Sequence, residues 1–211
     1  MLREPVPMVP VLQLRRDDVP DFAGPDDCDL LQLLWCPLDH PDDDYNPRVR
    51  VYWRRSDDIG DPLADAPEPA VVADRYLPRP CVLHPERVVE YRYRGLLPDD
   101  LQARIEEWEE QTGADYFFDH SLAPGWKVGG FPDWSVSDPR DVDCAECGAA
   151  MVLLLTVASG EWANEGVSWR PVEDPADAAF DPTEVVIGRA WDLHVFRCPV
   201  SFDHPVAAAS Q

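Results

Sequence analysis

Leu30-Leu31-Gln32-Leu33-Leu34-Trp35-Cys36-Pro37, ending in Asp39-His40-Pro41, has a counterpart late in the chain. There Leu193-His194-Val195-Phe196-Arg197-Cys198-Pro199 ends in Asp203-His204-Pro205. Each is a short apolar run closed by Cys-Pro and followed by Asp-His-Pro. Each also follows another apolar run, Val11-Leu12-Gln13-Leu14 in the first case and Met151-Val152-Leu153-Leu154-Leu155 in the second. Runs this short, bounded by Pro and Asp, read as strands. The order strand, excursion, strand, Cys-Pro, Asp-His-Pro therefore occurs twice. It reads as a duplicated unit, two related antiparallel sheets sharing a core, against the alternative of chance likeness between hydrophobic strands.

Working outward, Val9 to Leu14, Leu30 to Cys36, Met151 to Val157 and Trp191 to Cys198 read as strands, the middle pair deeply buried. Arg48 to Arg54 alternates Arg and Tyr with Val and Trp, the pattern of a half-exposed strand, and Val88 to Arg94 reads as another. Pro62 to Pro80, rich in Pro, Ala and Asp, and Ser159 to Pro182 read as loops. In Trp126-Lys127-Val128-Gly129-Gly130-Phe131-Pro132-Asp133-Trp134, paired glycines before Pro mark a tight turn. One helix is predicted over about 98–112. Pro98-Asp99-Asp100 supplies its start, Leu101, Ile105 and Trp108 recur at helical spacing, and Gly113 stands where a C-terminal cap belongs. Glu106, Glu107, Glu109 and Glu110 fall on its other face, either solvated or a docking surface for a basic partner. The expected fold class is α+β and β-rich, with long loops. A single domain over 1–211 is expected, its pseudo-repeat halves (about 1–95 and 120–211) joined by the helical segment.

The 211 residues are 45% hydrophobic, enough for a real core, and carry a formal net charge of −23. Such a field repels nucleic acid and anionic membranes and attracts basic proteins or cations. The N-terminal Met-Leu-Arg-Glu-Pro-Val-Pro lacks the basic start and apolar run of a signal peptide. Ala149 to Ala158 is too short to span a bilayer. A cytoplasmic location is expected, where thiols stay reduced and paired cysteines read as metal ligands before disulfides. Lys127, the only lysine, reads as compositional bias.

Five of the six cysteines stand near another cysteine or a histidine at metal-ligand spacing. In the C-terminal half, Cys144-Ala-Glu-Cys147-Gly148 can form a knuckle whose backbone N–H groups face the sulfurs. Two thiolates hold zinc poorly, and Cys198 and His204 are the natural completing donors. A redox dithiol and plain reduced surface thiols are the alternatives. The N-terminal half offers a weaker second set, Cys36, His40, Cys81 and His84, for which plain packing of the cysteines is the alternative. One or two structural zinc ions are expected. Cys28 has no partner, and His194 reads as a core or face residue. Asp119-His120-Ser121 is adjacent in sequence, whereas triads assemble from distant residues. Asp42-Asp43-Asp44 lacks the spaced oxygens and turn glycine of a calcium loop. No phosphate-binding glycine loop, nucleophile elbow or HExxH motif is present. The eight tryptophans read as packing, except Trp162 and Trp169, whose place in a loop suits an interface.

Leu12-Gln13-Leu14, Asp29-Leu30-Leu31-Gln32, Lys127-Val128-Gly129-Gly130-Phe131-Pro132-Asp133-Trp134, Cys144-x-x-Cys147-Gly148 and Met151-x-Leu153-Leu154 together resemble the YwqG-like family of bacterial proteins, with its actinobacterial branch nearest. The resemblance implies an α+β fold with a duplicated sheet unit and carries no activity with it. The C-terminal stretch is also similar to the programmed cell death protein 2 family, which chaperones a ribosomal protein. This chain lacks that family's separate zinc-finger insertion. The function expected is a non-catalytic, zinc-stabilised cytoplasmic binding protein with no catalytic residue, whose acidic surface engages a basic protein partner in a chaperone-like or immunity-like role. The alternatives are an enzyme in which water replaces His204 at an open zinc site, and a small-molecule binding module with tryptophans lining a cleft between the halves.

Overall fold

Three strands open the chain: β1 (Val9–Arg15), β2 (Leu30–Trp35) and β3 (Val49–Arg54) form an antiparallel sheet in that order. Four more, β4 (Lys127–Val128), β5 (Val152–Ala158), β6 (Asp192–Arg197) and β7 (Ala207–Ser210), form a second antiparallel sheet, again in chain order. The computed structural model describes residues 5–19, 22–61, 63, 65, 67–134, 136–162 and 167–211.

The two sheets repeat one unit down to the register. In the first, Val9 faces Trp35 and Pro10 faces Leu34; a bulge at Val11 follows, after which Leu12 faces Leu33. In the second, Val152 faces Arg197 and Leu153 faces Phe196; a bulge at Leu154 follows, after which Leu155 faces Val195. The third strand matches as well. Leu33 pairs with Val51 on β3, and the corresponding Val195 pairs with Ala208 on β7. A bulge is a local device that re-aims a strand, so the same bulge at the same place marks one template used twice. Cys36 and Cys198 each stand one residue past their strand.

The inner faces of both sheets supply one hydrophobic cluster. Leu31, Leu33 and Trp35 from β2 meet Leu155, Val157, Leu193 and Val195 from β5 and β6, each at most 1% exposed. Burying a side chain of this kind contributes about 1.5–3 kcal/mol. The indole of Trp35 donates to the carbonyl of Tyr76 at 2.8 Å, so its polar edge is satisfied inside the core. The segment around Tyr76 is tied to the second half by backbone bonds from Val186 to Arg75 (3.0 Å) and from Arg79 to Thr183 (2.8 Å).

The predicted helix is α1, Asp99–Thr112. Gly113 closes it at φ 71°, its N–H bonded to the Glu109 carbonyl at 2.8 Å. Ile105 is its one buried residue. Trp108 is 36% exposed and meets His120 edge-on at 5.3 Å. Glu109 departs from the solvated face expected of it. It accepts from Arg94 at 2.9 Å and from the Tyr116 N–H at 2.8 Å, fastening the chain on both sides of the helix.

Val88 to Arg94 forms no strand. Val88 and Val89 are exposed, so the run has no apolar face to bury. The Tyr91 N–H bonds the carbonyls of His120 and Ser121 instead of a strand ladder. Of the two expected loops, Pro62, Ala64 and Ala66 in the first and 163–166 in the second lie outside the described residues. Among the described residues no helix is long and apolar enough to cross a membrane.

Candidate metal centre

The second unit's register brings four donors to one end of its sheet. Because Val152 faces Arg197, the residues just before β5 and just after β6 are neighbours. Asp143 and Ala150 form a bridge ahead of β5. Inside it the Cys144 N–H bonds the Ala149 carbonyl at 2.9 Å, and the Gly148 N–H returns to the Cys144 carbonyl at 2.8 Å. Gly148 has φ 71°, a left-handed backbone that suits glycine, and this reversal is what turns both thiols the same way. On the other side, Cys198 accepts from the Val200 N–H at 3.4 Å, and the chain turns through Phe202 to His204.

Sγ of Cys144 lies 3.5 Å from Nδ1 of His204, which lies 3.3 Å from Sγ of Cys198; Cys198 and Cys147 sulfurs are 3.6 Å apart. All four donor atoms fall within 4.8 Å of one another. These residues can hold a metal ion. None of the six cysteines is in a disulfide, although two of these sulfurs are close. Burial acts to raise the Cys198 thiol, but the N–H groups of Ser201 and Val200, with His204 and Cys147, bring it down to about 6. N–H donors that favour a thiolate are the environment a metal-ligating sulfur needs.

The centre is joined to the other sheet. Phe202, inside the ligand loop, packs edge-on to Trp53 of β3 at 5.2 Å, and Trp53 meets Phe22 at 5.4 Å. Arg197 covers the Phe202 ring at 4.9 Å.

The second expected set, Cys36, His40, Cys81 and His84, does not assemble. Among the described residues only one group of three or more such donors gathers. Cys81 and His84 lie exposed on the chain beyond β3, and Cys36 and His40 are half-buried beside β2. The duplication explains why. Among the described residues ahead of β1 there is no cysteine to stand opposite Cys36 as Cys144 and Cys147 stand opposite Cys198. His194 is fully buried on β6, as its place on a strand suggested, and lies outside the metal group.

The sequence reading missed a polar row across the outer face of the second sheet. Lys127 on β4 pairs with Thr156 on β5, which pairs with His194 on β6. The single lysine, two residues before the Gly129-Gly130 turn, was the available signal. Its ammonium pairs with Glu90 at 2.8 Å, the two side chains only 12% and 8% exposed. Glu90 also accepts from the N–H groups of Ala123 (2.9 Å) and Phe131 (2.5 Å).

No protein-family model, no curated protein and no solved structure matches this chain. The likeness to the YwqG-like and programmed cell death protein 2 families rests on the motifs quoted above.

Proposed function

We propose that this chain is a zinc-stabilised, non-catalytic cytoplasmic binding protein whose acidic exterior engages a basic protein partner. The observation that carries the reading is the completeness of the Cys144, Cys147, Cys198 and His204 set. A zinc ion about 2.3 Å from sulfur and about 2.0 Å from nitrogen sets tetrahedral S···S edges of about 3.8 Å and S···N edges of about 3.5 Å. Three of the six edges, at 3.6 Å, 3.5 Å and 3.3 Å, lie within about 0.2 Å of these values, and all four donors fall within 4.8 Å of one another. Three thiolates and one imidazole fill all four positions, the composition of a closed structural site. An enzyme working through an open position would need one donor fewer. The ion would fasten the start of β5 to the end of β6 and hold Phe202 against Trp53.

The exterior supports the second half of the reading. Net charge is −23, and Glu106, Glu107 and Glu110 are exposed along α1. Charge of one sign speeds encounter with a partner of the other, at a rate that falls as salt rises. A chaperone-like or immunity-like role toward a basic protein fits, the first in line with the likeness of the C-terminal stretch to the programmed cell death protein 2 family.

Two measurements test this. Elemental analysis of protein purified without added metal should give about one zinc per chain, and a value near zero removes the metal reading. Capture of partners at low and high salt should recover basic proteins whose binding weakens with salt. A partner that is not basic, or one indifferent to salt, overturns the second half.

A further inference from the structure

Outside the metal centre, the second sheet's outer face is capped by the turns around residues 117–134 and 159–162. Between sheet and caps lies a cavity of about 230 Å³. At roughly 30 Å³ per water-sized group, that is room for about eight heavy atoms. Phe117, Phe118, Trp162, Phe180 and Trp191 contribute to its wall, so much of it is aromatic.

Its charged lining is Lys127, Asp133 and Asp192. The Lys127 ammonium is held by Glu90 at 2.8 Å. His194 also lines the cavity but adds no positive charge. Its Nε2 lies 3.1 Å from the Asp133 carbonyl, which can only accept, so Nε2 carries the proton. Nδ1 then accepts from the Thr156 hydroxyl at 3.0 Å. Both nitrogens are used by a neutral ring, and burial holds its pKa down to about 4. Glu161 adds a further carboxylate behind Gly125. Among the described residues Lys127 and Glu90 thus offset each other, the carboxylates of Asp192 and Glu161 lie close by, and Arg170 stacks on the Trp162 ring at 5.0 Å.

Asp192 is the group this imbalance strains. It sits at the start of β6, where its carboxylate accepts from the Ser159 backbone. Burial, then the charges of Asp133 and Glu161, raise its pKa to about 7, while Lys127 pulls the other way. A ligand that brought a positive charge and an apolar body would satisfy both the carboxylates and the rings, since cations are attracted to aromatic faces. An anion would meet the Asp192 carboxylate with Lys127 already paired to Glu90, and a neutral apolar molecule would leave Asp192 buried and uncompensated.

We propose that this cavity binds a small organic ammonium ion, its charge beside Asp192 and its carbon chain against the aromatic wall. The occupant is either a free alkylamine or a lysine side chain reaching in from another protein. This site is separate from the metal centre and does not depend on the partner reading above.

The test is a titration of the full-length, metal-loaded protein with n-pentylammonium, read by the fluorescence of Trp162 and Trp191, with 1-pentanol and pentanoate as the neutral and anionic analogues. Pentylammonium should bind saturably and at least about tenfold more tightly than either analogue. Asp192→Asn should weaken it at least about tenfold while leaving metal content and circular dichroism unchanged. In the parent, affinity should fall as pH drops below about 7, where Asp192 takes up its proton. A parallel titration with N-acetyl-lysine amide separates the two sources: tighter binding than pentylammonium points to a lysine side chain, weaker binding to a free amine. Equal binding of pentanol, tighter binding of pentanoate, absence of saturable binding, or an Asp192→Asn variant with parental affinity would each overturn the proposal. Should that variant fail to fold, the pH dependence in the parent decides.

Discussion

Replacing Cys198 by alanine is the sharpest perturbation of the metal centre. A metal ion held there would cross-link Cys147 to Cys198, 51 positions apart. Treated as a covalent cross-link, a loop of that length removes about 4 kcal/mol of chain entropy from the unfolded state. The real loss should be at least this, because an ion bound only by the folded chain adds its own binding energy. For a chain of this size each kcal/mol moves the melting temperature by roughly 2–4 °C. Cys198→Ala should therefore melt roughly 8–16 °C below the parent and carry no stoichiometric metal. A metal chelator added to the parent should reproduce the shift. The environment of Trp53 should change with it, since Phe202 in the ligand loop packs on that ring at 5.2 Å. The assay is thermal unfolding by circular dichroism, with metal measured in parallel. Cys28→Ala serves as control, because Cys28 stands outside the donor group. A Cys198→Ala variant melting within about 2 °C of the parent, or one retaining a full complement of metal, would refute the account.

Other perturbations probe the rest of the molecule. Cys81→Ala with His84→Ala should leave metal content unchanged, as both side chains are exposed and outside the donor group; elemental analysis would expose a contribution from them. Lys127→Met leaves Glu90 buried without its cation, so the denaturant midpoint should fall by the equivalent of about 3–5 kcal/mol, and Glu90→Leu with Lys127→Met should recover part of it. Gly130→Ala should also lower the midpoint, since a Cβ there would sit 2.0 Å from a Glu90 oxygen on a backbone at φ 76°. Asp192 predicts a pH dependence. Its folded pKa of about 7 lies above the ordinary 3.8, so the folded state holds the proton more tightly. Its contribution is present below about pH 4 and is lost as pH rises to about 7, on the order of 4 kcal/mol. His194, lowered to about 4, acts oppositely: its contribution is present above about pH 6.5 and is lost as pH falls. Comparing Asp192→Asn with the parent at each pH isolates the aspartate: the variant should gain relative to the parent from pH 4 to 7, and a constant difference would refute the assignment.

Much of the architecture was legible because it is locally encoded. Leu31, Leu33 and Trp35 alternate inward at a period set by the pleat of one strand, and α1 announces itself by Pro98 before and Gly113 after. The Cys144/Cys147 knuckle was legible for the same reason: both thiols and their turning glycine lie within five residues. Val88 to Arg94 misled because its composition suits a strand, yet no neighbour offers it a ladder or a core. Glu109 misled because its charge suggests solvent, although it follows the buried Ile105 by four residues and so flanks the inward face, where Arg94 and the Tyr116 N–H reach it.

By itself the sequence determined β1, β2, β3, β5 and β6, the helix and the donors available in each half, whereas β4 and β7, short strands at the two edges of the second sheet, were not read from it. The sequence also named Cys198 and His204 as the donors completing Cys144 and Cys147; that these four meet, while Cys36, His40, Cys81 and His84 do not, was decided by the tertiary fold, for the first set by the register of β5 against β6. Pairing brings together the ends of strands separated by a long excursion, and no spacing along the chain encodes that distance. The same holds for the cavity. Lys127, Asp133, Glu161 and Asp192 are ordinary surface residue types until the fold takes them out of water. Burial then strengthens every charge and hydrogen bond among them, and burial is a property of the packed chain and not of its letters.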